Sequence, residues 1–191
     1  GRELTWGLNS VLGFNYNASY SYQLRNDYWN ASIYDWNYSG LQTLTSNIWA
    51  KGYEVIANCN NLLQEVQEKD SSFFAEGEME KRMIIGEMYG VRALMHFDLL
   101  RLFAPAPITN PSGLFMPYVT KYPEYQPAHK SVQEILNLVI QDMEHARTLL
   151  AEVDTVFCKR LNQTINARIF NPNAGLADPP ADFFMYRAER M

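Results

Sequence analysis

Cysteine is scarce in this 191-residue chain, which has only Cys59 and Cys158, and the two show no C-x-x-C spacing. Zinc sites and redox motifs built on paired cysteines are therefore excluded. We expect two free thiols, with Cys59 packed as a small apolar side chain on a helix, although an extracellular location would also permit a disulfide. Long apolar runs are absent as well, so the sequence predicts no transmembrane helix.

Basic residues are fewer than acidic ones: the chain has 16 Lys and Arg residues and 21 Asp and Glu residues, which gives a net charge of −5. A nucleic-acid partner needs clustered Lys and Arg and is excluded. Between Arg25 and Lys51 there is no basic residue at all. That stretch is therefore expected to bind a neutral ligand or none.

Motifs for catalysis and cofactor binding are missing too. The sequence has no Gly-rich phosphate loop, no G-x-S-x-G, no H-E-x-x-H and no pair of Glu-x-x-His motifs for a di-iron site. His96 and Asp98 are two residues apart and so lie on different faces of a helix. We interpret His96 as a packed core histidine, and we predict a protein without metal, cofactor or enzymatic activity.

Apolar residues recur at helical spacing in three segments, and this pattern predicts an all-α fold. The segments are residues 42–69, 76–103 and 131–152. A short polar break separates the first two, which therefore form an antiparallel αα-hairpin. Ser131 stands three residues before Glu134, and this capping box marks the start of the third helix.

The second of these helices is apolar on more than one side, which is typical of a central, buried helix. We expect its aromatic residue Phe97 to be buried. Its charged residues Glu87 and Arg92 are predicted to form a structural ion pair. Gly86 and Gly90, four residues apart, would let a neighbouring helix approach closely.

Several segments are predicted to lack regular structure. Six prolines fall between residues 105 and 130, and their fixed φ angles and missing donors predict an ordered loop there. Residues 1–41, rich in aromatic residues, and residues 153–191, rich in Asn and Pro, are also predicted to be loop-like. Together with a helical core at residues 42–152, they are predicted to form a single domain.

Three motifs show a family resemblance. Residues 86–107, GEMYGVRALMHFDLLRLFAPAP, are similar to the pattern G-E-x-x-x-x-R-A-x-x-[YH]-F-x-L-x-R-x-F-G-x-x-P of the SusD/RagB family, with Ala104 in place of the usual Gly. Residues 49–63 resemble its W-x-x-x-Y-x-x-I-x-x-x-N-x-L-L helix, and residues 131–146 resemble its S-V-x-E-I…I-x-D-L-x-x-A helix. The resemblance covers roughly residues 40–191.

The resemblance implies a tetratricopeptide-like helical domain and a non-catalytic function. SusD-like proteins are surface-exposed lipoproteins of the outer membrane in Bacteroidetes, and they capture oligosaccharides or other nutrients for a SusC-like, TonB-dependent transporter. It also implies that residues 1–191 are a truncated, N-terminal part of a longer protein, with the lipid anchor and the C-terminal half outside this chain.

Aromatic residues are concentrated between Phe14 and Tyr53, with Asn residues interleaved. Aromatic rings stack on the apolar C–H faces of sugars, and Asn amides both donate to and accept from sugar hydroxyl groups. The resemblance implies that the loop before the W-x-x-x-Y helix, here residues 28–39, helps to line the sugar site. Trp49 and Tyr53 are predicted to belong to the core. The predicted ligand-binding residues are Tyr28, Trp29, Asn30, Tyr34, Trp36 and Asn37.

Two other interpretations remain open from the sequence. A helical glycoside hydrolase would use two of the many carboxylates as acid and base. A purely structural scaffold would leave recognition to residues outside the chain. Formation of new reducing ends from oligosaccharides distinguishes the hydrolase from a binding protein.

Overall fold

The computed structural model describes residues 2–5, 7–15, 26–110 and 112–152. They form two compact units, one within Gly1–Val55 and the other within Ile56–Met191. The predicted loop-like segment 153–191, with Cys158, lies outside the described residues, and the single-domain organisation stays a prediction. The described residues are mostly helical, so the predicted all-α class is confirmed.

The first unit is built from short helices that the sequence pattern did not predict. Its elements are α1 (Arg2–Thr5), α2 (Leu8–Leu12), α3 (Asn26–Ser32) and the first part of α4 (Ser39–Glu68). The loop prediction for residues 1–41 is therefore wrong within the described ranges. Short helices carry too few turns to show a clear period, and they are stabilised by burial of one face. The buried apolar residues of this unit are Leu4, Leu8, Val11, Tyr28, Ala31, Leu41, Leu44 and Ile48.

The second unit contains the rest of α4 and the elements that follow it. A 3-10 turn at Ser71–Phe73 leads to α5 (Glu78–Phe103), and two strands, β1 (Leu114–Pro117) and β2 (His129–Ser131), precede α6 (Val132–Glu152). The three long helices begin and end within three residues of their predicted bounds. Ser131 and Glu134 form the predicted capping box, since Glu134 Oε2 accepts from the Ser131 N–H at 2.8 Å.

A two-stranded antiparallel ribbon lies where the prolines predicted a loop without regular structure. Leu114 pairs with Ser131 and Pro117 pairs with His129, with an irregularity between Leu114 and Met116. The prediction was wrong here because Pro117 is the last residue of its strand. A missing N–H donor is tolerated at the end of a ribbon.

Helices α5 and α6 pack closely at a glycine. A Cβ atom added at Gly86 would lie 2.8 Å from Leu150 Cγ and 3.1 Å from Leu149 Cβ, so Gly86 permits the close approach that its position predicted. Phe97, however, is 40% exposed, and its predicted burial is wrong. A helix that is apolar on more than one side does not bury every apolar residue, and the buried apolar residues near Phe97 are Ala93, Leu99 and Leu100.

A buried polar network connects the elements of the second unit. Arg92 Nε and Nη2 donate to the two carboxylate oxygens of Asp142 at 2.8 Å each, and Arg92 Nη1 donates to Asn60 Oδ1 at 2.8 Å. The Tyr118 hydroxyl donates to Asp142 Oδ2 at 2.6 Å. The predicted pairing of Arg92 with Glu87 is wrong, because the carboxylate that Arg92 binds comes from α6.

The chain after β1 is held to the helices through its backbone. The Val119 N–H donates to His96 Nε2 at 3.0 Å, and Asn60 Nδ2 donates to the Val119 carbonyl at 3.0 Å. Gln64 donates to the Tyr122 carbonyl at 2.8 Å and accepts from the Tyr122 N–H at 2.7 Å. Residues 119–122, a segment that we call the strap, are therefore fixed by three side chains.

His96 is a core residue, as predicted from the sequence. Its ring is fully buried and stacks on Tyr118 with a centroid distance of 3.8 Å. Because Nε2 accepts from the strap, the proton lies on Nδ1, which is 2.9 Å from the Arg92 carbonyl oxygen. Burial lowers the pKa of His96 to about 4. Cys59 is likewise buried as a free thiol, and burial raises its pKa.

Removing the carboxylate of Asp142 should destabilise the fold strongly. Asp142→Ala leaves the Arg92 guanidinium, whose side chain is only 6% exposed, without its ionic partner, and the expected loss of unfolding free energy is about 3–5 kcal/mol. Urea unfolding measures it. Glu54→Ala breaks the exposed Lys51–Glu54 pair and serves as the control, with no measurable change expected. Equal losses in both variants would contradict a special role for the buried pair.

Acid should destabilise the protein through His96. The pKa of His96 is about 4 in the folded state against an ordinary value of 6.5, so the unfolded state binds more protons between these values. The stabilising contribution is complete above pH 6.5 and is lost as the pH falls towards 4. Over that interval the unfolding free energy of the wild type should fall by about 3 kcal/mol relative to that of His96→Gln. Urea unfolding at several pH values tests this, and a constant difference would refute it.

Candidate aromatic binding surface

Helix α3 places its aromatic residues on two different sides. Tyr28 and Ala31, three residues apart, are buried, and Tyr28 is only 4% exposed. The hydroxyl of Tyr28 donates to the Glu3 carboxylate, with distances of 2.8 Å to Oε2 and 3.0 Å to Oε1. Trp29, the next residue, is 44% exposed. Burial of Tyr28 therefore turns the indole of Trp29 towards solvent.

The turn between α3 and α4 is defined by short-range hydrogen bonds. The Asp35 N–H donates to the Asn30 carbonyl at 2.9 Å, and the Asn37 N–H donates to Asp35 Oδ1 at 3.2 Å. Gln42 Nε2 donates to the Trp36 carbonyl at 3.3 Å. Tyr34 has a φ of 57°, in the left-handed region, and this reverses the chain at the end of α3.

Three rings form a continuous group in this unit, which we call the aromatic array: Phe14, Tyr34 and Trp36. The Phe14 and Tyr34 centroids are 6.1 Å apart with an interplanar angle of 61°, and those of Tyr34 and Trp36 are 6.3 Å apart at 56°. Phe14 is 68% exposed, and Tyr34 and Trp36 are 48% exposed each. The array therefore offers ring faces and edges to a ligand while its members support one another.

Two members of the array have a strained backbone. Phe14 has a φ of 55° and Tyr34 a φ of 57°, values that bulky residues rarely adopt. Each costs on the order of 1 kcal/mol or more relative to an ordinary conformation. The hydroxyl of Tyr34 donates to the Leu12 carbonyl at 3.3 Å, which helps to hold that conformation. Strain of this kind concentrates at functional sites.

The predicted ligand-binding residues take different positions in the structure. Trp29, Tyr34, Trp36 and Asn37 are exposed, so their side chains can reach a ligand. Asn30 is half-buried, and its Nδ2 donates to the Asn26 carbonyl at 2.7 Å. Tyr28 does not reach the surface. The segment 28–39 was predicted to be a loop, but its first part belongs to α3, so that prediction is wrong.

Phe14 is the array residue that sequence reasoning did not select. It lies 20 residues before Tyr34 in the chain, and only the fold brings the two rings together. The one available signal was its place at the start of the aromatic-rich stretch. Three further aromatic residues of that stretch, Tyr16, Tyr20 and Tyr22, lie outside the described residues.

Trp49 and Tyr53, predicted to belong to the core, are half-buried on α4. Their rings lie 4.9 Å apart between centroids. Burial raises the pKa of Tyr53, so its hydroxyl stays protonated at neutral pH. Neither ring is therefore part of the exposed aromatic array.

Within residues 2–15 and 26–152, apart from the gaps at 6 and 111, no three His, Cys, Asp or Glu side chains gather in a way that could hold a metal ion. None of the helices in the described ranges combines the length and apolar composition needed to cross a bilayer.

Comparison with known families identifies the class of this protein. The SusD-like family, described as starch-binding and associating with the outer membrane, matches residues 7–165. The chain therefore belongs to the SusD-like family, as its three motifs indicated. No curated protein matches the chain.

Proposed function

We propose that this protein is a non-catalytic glycan-binding component of an outer-membrane uptake system. It captures an oligosaccharide and passes it to a SusC-like, TonB-dependent transporter, and it is held at the cell surface by a lipid anchor. Membership of a family described as starch-binding and associated with the outer membrane supports the general function. The aromatic array is the observation that supports a binding site in this unit.

The geometry of the array suits sugars. Each neighbouring pair of its exposed rings is tilted by 56° to 61°, so the array offers both ring faces and ring edges to a ligand. Sugar C–H groups stack on such rings, and well-ordered rings lose little entropy when they bind. The exposed amide of Asn37 can both donate to and accept from sugar hydroxyl groups.

The charges around the array favour a neutral ligand. Asp27 and Asp35 are the charged residues between positions 26 and 50, and no Lys or Arg lies in that range. An anionic glycan would meet these two carboxylates, and residues 26–50 supply no Lys or Arg to offset them. We therefore place the ligand among uncharged oligosaccharides, contacted by Trp29, Tyr34, Trp36 and Asn37 together with Phe14.

Removing one ring should weaken binding without unfolding the protein. Trp36→Ala, and separately Trp29→Ala, should lower the affinity for maltoheptaose, a starch oligosaccharide, by about 1–3 kcal/mol, by analogy with the stacking of bases on aromatic side chains. Isothermal titration calorimetry measures the affinity and circular dichroism checks helicity. Phe73→Ala removes an exposed aromatic residue of the other unit and should bind as wild type does.

The same experiment separates the alternatives. Unchanged affinity in both tryptophan variants would move recognition away from these residues, and no binding of maltoheptaose or of other neutral oligosaccharides would favour a scaffold. New reducing ends after incubation with the wild type would instead indicate a hydrolase. Co-purification of the protein with a SusC-like transporter from the outer membrane tests the partner.

A further inference from the structure

The Glu3 carboxylate joins three helices of the first unit. On α1, its two oxygens accept from the buried Tyr28 hydroxyl of α3 at 2.8 and 3.0 Å. Oε2 also accepts from the Leu8 N–H at the first residue of α2, at 3.2 Å. A carboxylate at this end of a helix satisfies a backbone donor that the helix itself leaves open.

Gly7 makes room for this arrangement. A Cβ atom added at Gly7 would lie 2.2 Å from Glu3 Oε2 and 2.9 Å from the Glu3 Cα atom. Any other residue at position 7 would therefore displace the carboxylate or the backbone of α1. Glycine at position 7 therefore leaves the space that the Glu3 carboxylate occupies.

Helix α3 depends on such contacts because it has only seven residues. A helix of that length is not stable by itself in water and is held by its tertiary contacts. Its buried side reaches the N-terminal helices through Tyr28, and the turn that follows reaches them through the Tyr34 hydroxyl and the Leu12 carbonyl. Both tethers lead to the N-terminal helices, and the second ends at Leu12, two residues before Phe14 of the array.

We propose that the contact between Glu3 and Tyr28, which we call the clasp, positions α3 so that Trp29, Tyr34 and Trp36 are presented to the ligand. Tyr28 is then a positioning residue and not a ligand contact. The affinity part of this inference rests on the proposed function. Glu3 lies before the family match, which begins at residue 7, so the clasp goes beyond the pattern that defines the family.

The test removes the clasp one atom group at a time. Tyr28→Phe deletes only the hydroxyl and should weaken maltoheptaose binding about fivefold, the equivalent of one net hydrogen bond. Glu3→Ala deletes the acceptor of that hydroxyl and also the acceptor of the Leu8 N–H, so it should weaken binding at least as much. The double variant should bind no more weakly than Glu3→Ala, which already breaks the contact that Tyr28→Phe removes. Glu3→Gln keeps an acceptor oxygen and should stay within about twofold of wild type.

A second readout is independent of the ligand. The chain has four tryptophans, so labelling with 5-fluorotryptophan gives a small set of ¹⁹F resonances that Trp→Phe variants assign. Tyr28→Phe and Glu3→Ala should shift the resonances of Trp29 and Trp36, and Glu3→Gln should restore them. Tyr38→Phe removes a hydroxyl elsewhere in the same unit and should leave affinity and resonances unchanged.

The outcomes separate the clasp from the proposed function. Wild-type affinity and unshifted resonances in both Tyr28→Phe and Glu3→Ala would overturn the clasp, as would losses that add in the double variant. If the wild type binds no neutral oligosaccharide, the proposed function fails, and the ¹⁹F shifts alone then decide whether the clasp exists. Circular dichroism checks that each variant keeps its helicity.

Discussion

The guanidinium of Arg92 is the group on which the second unit depends. A buried cation is tolerated only when its donors are satisfied, and this one binds the Asp142 carboxylate and the Asn60 amide. These partners lie on α6 and on α4, so the position of each helix is specified relative to α5. Apolar packing alone, which is not directional, would allow small shifts between helices that this geometry forbids.

The same network explains how a proline-rich segment acquires a fixed path. Prolines limit the chain's conformations but remove donors that would otherwise bind the helices. Here the strap instead receives its bonds from His96, Asn60 and Gln64, which lie on long helices. Asn60 and His96 both also contact Arg92, so the strap and the ion pair belong to one connected set of hydrogen bonds.

The long helices could be predicted from sequence because their signals are local. The periodicity of 42–69, 76–103 and 131–152 and the capping box at Ser131 need no knowledge of the fold. Partner choice is different: the pairing of Arg92 with Asp142 joins residues 50 positions apart, and a helix pattern gives no sign of it. Phe97 was misassigned for a related reason, since a helix that is apolar all round does not indicate which side its neighbours leave open.

The candidate site was predictable in composition but not in arrangement. Trp29, Tyr34 and Trp36 stood out because aromatic and Asn residues are interleaved in one stretch, and the structure leaves these three rings accessible. Tyr28 could not be separated from them, because its partner Glu3 is 25 residues away. Phe14 joins the array only through the turn that follows α2, and the pattern predicted no helix there.

The left-handed backbone at Tyr34 sets stability against function at a single position. Glycine or asparagine adopts a φ of 57° at little cost, so either would relieve the backbone strain at this position. Either would also remove the central ring of the array and the hydroxyl that donates to the Leu12 carbonyl. Selection for stability alone therefore weighs the relieved strain against those lost contacts, whereas growth on the natural ligand should keep an aromatic residue at position 34.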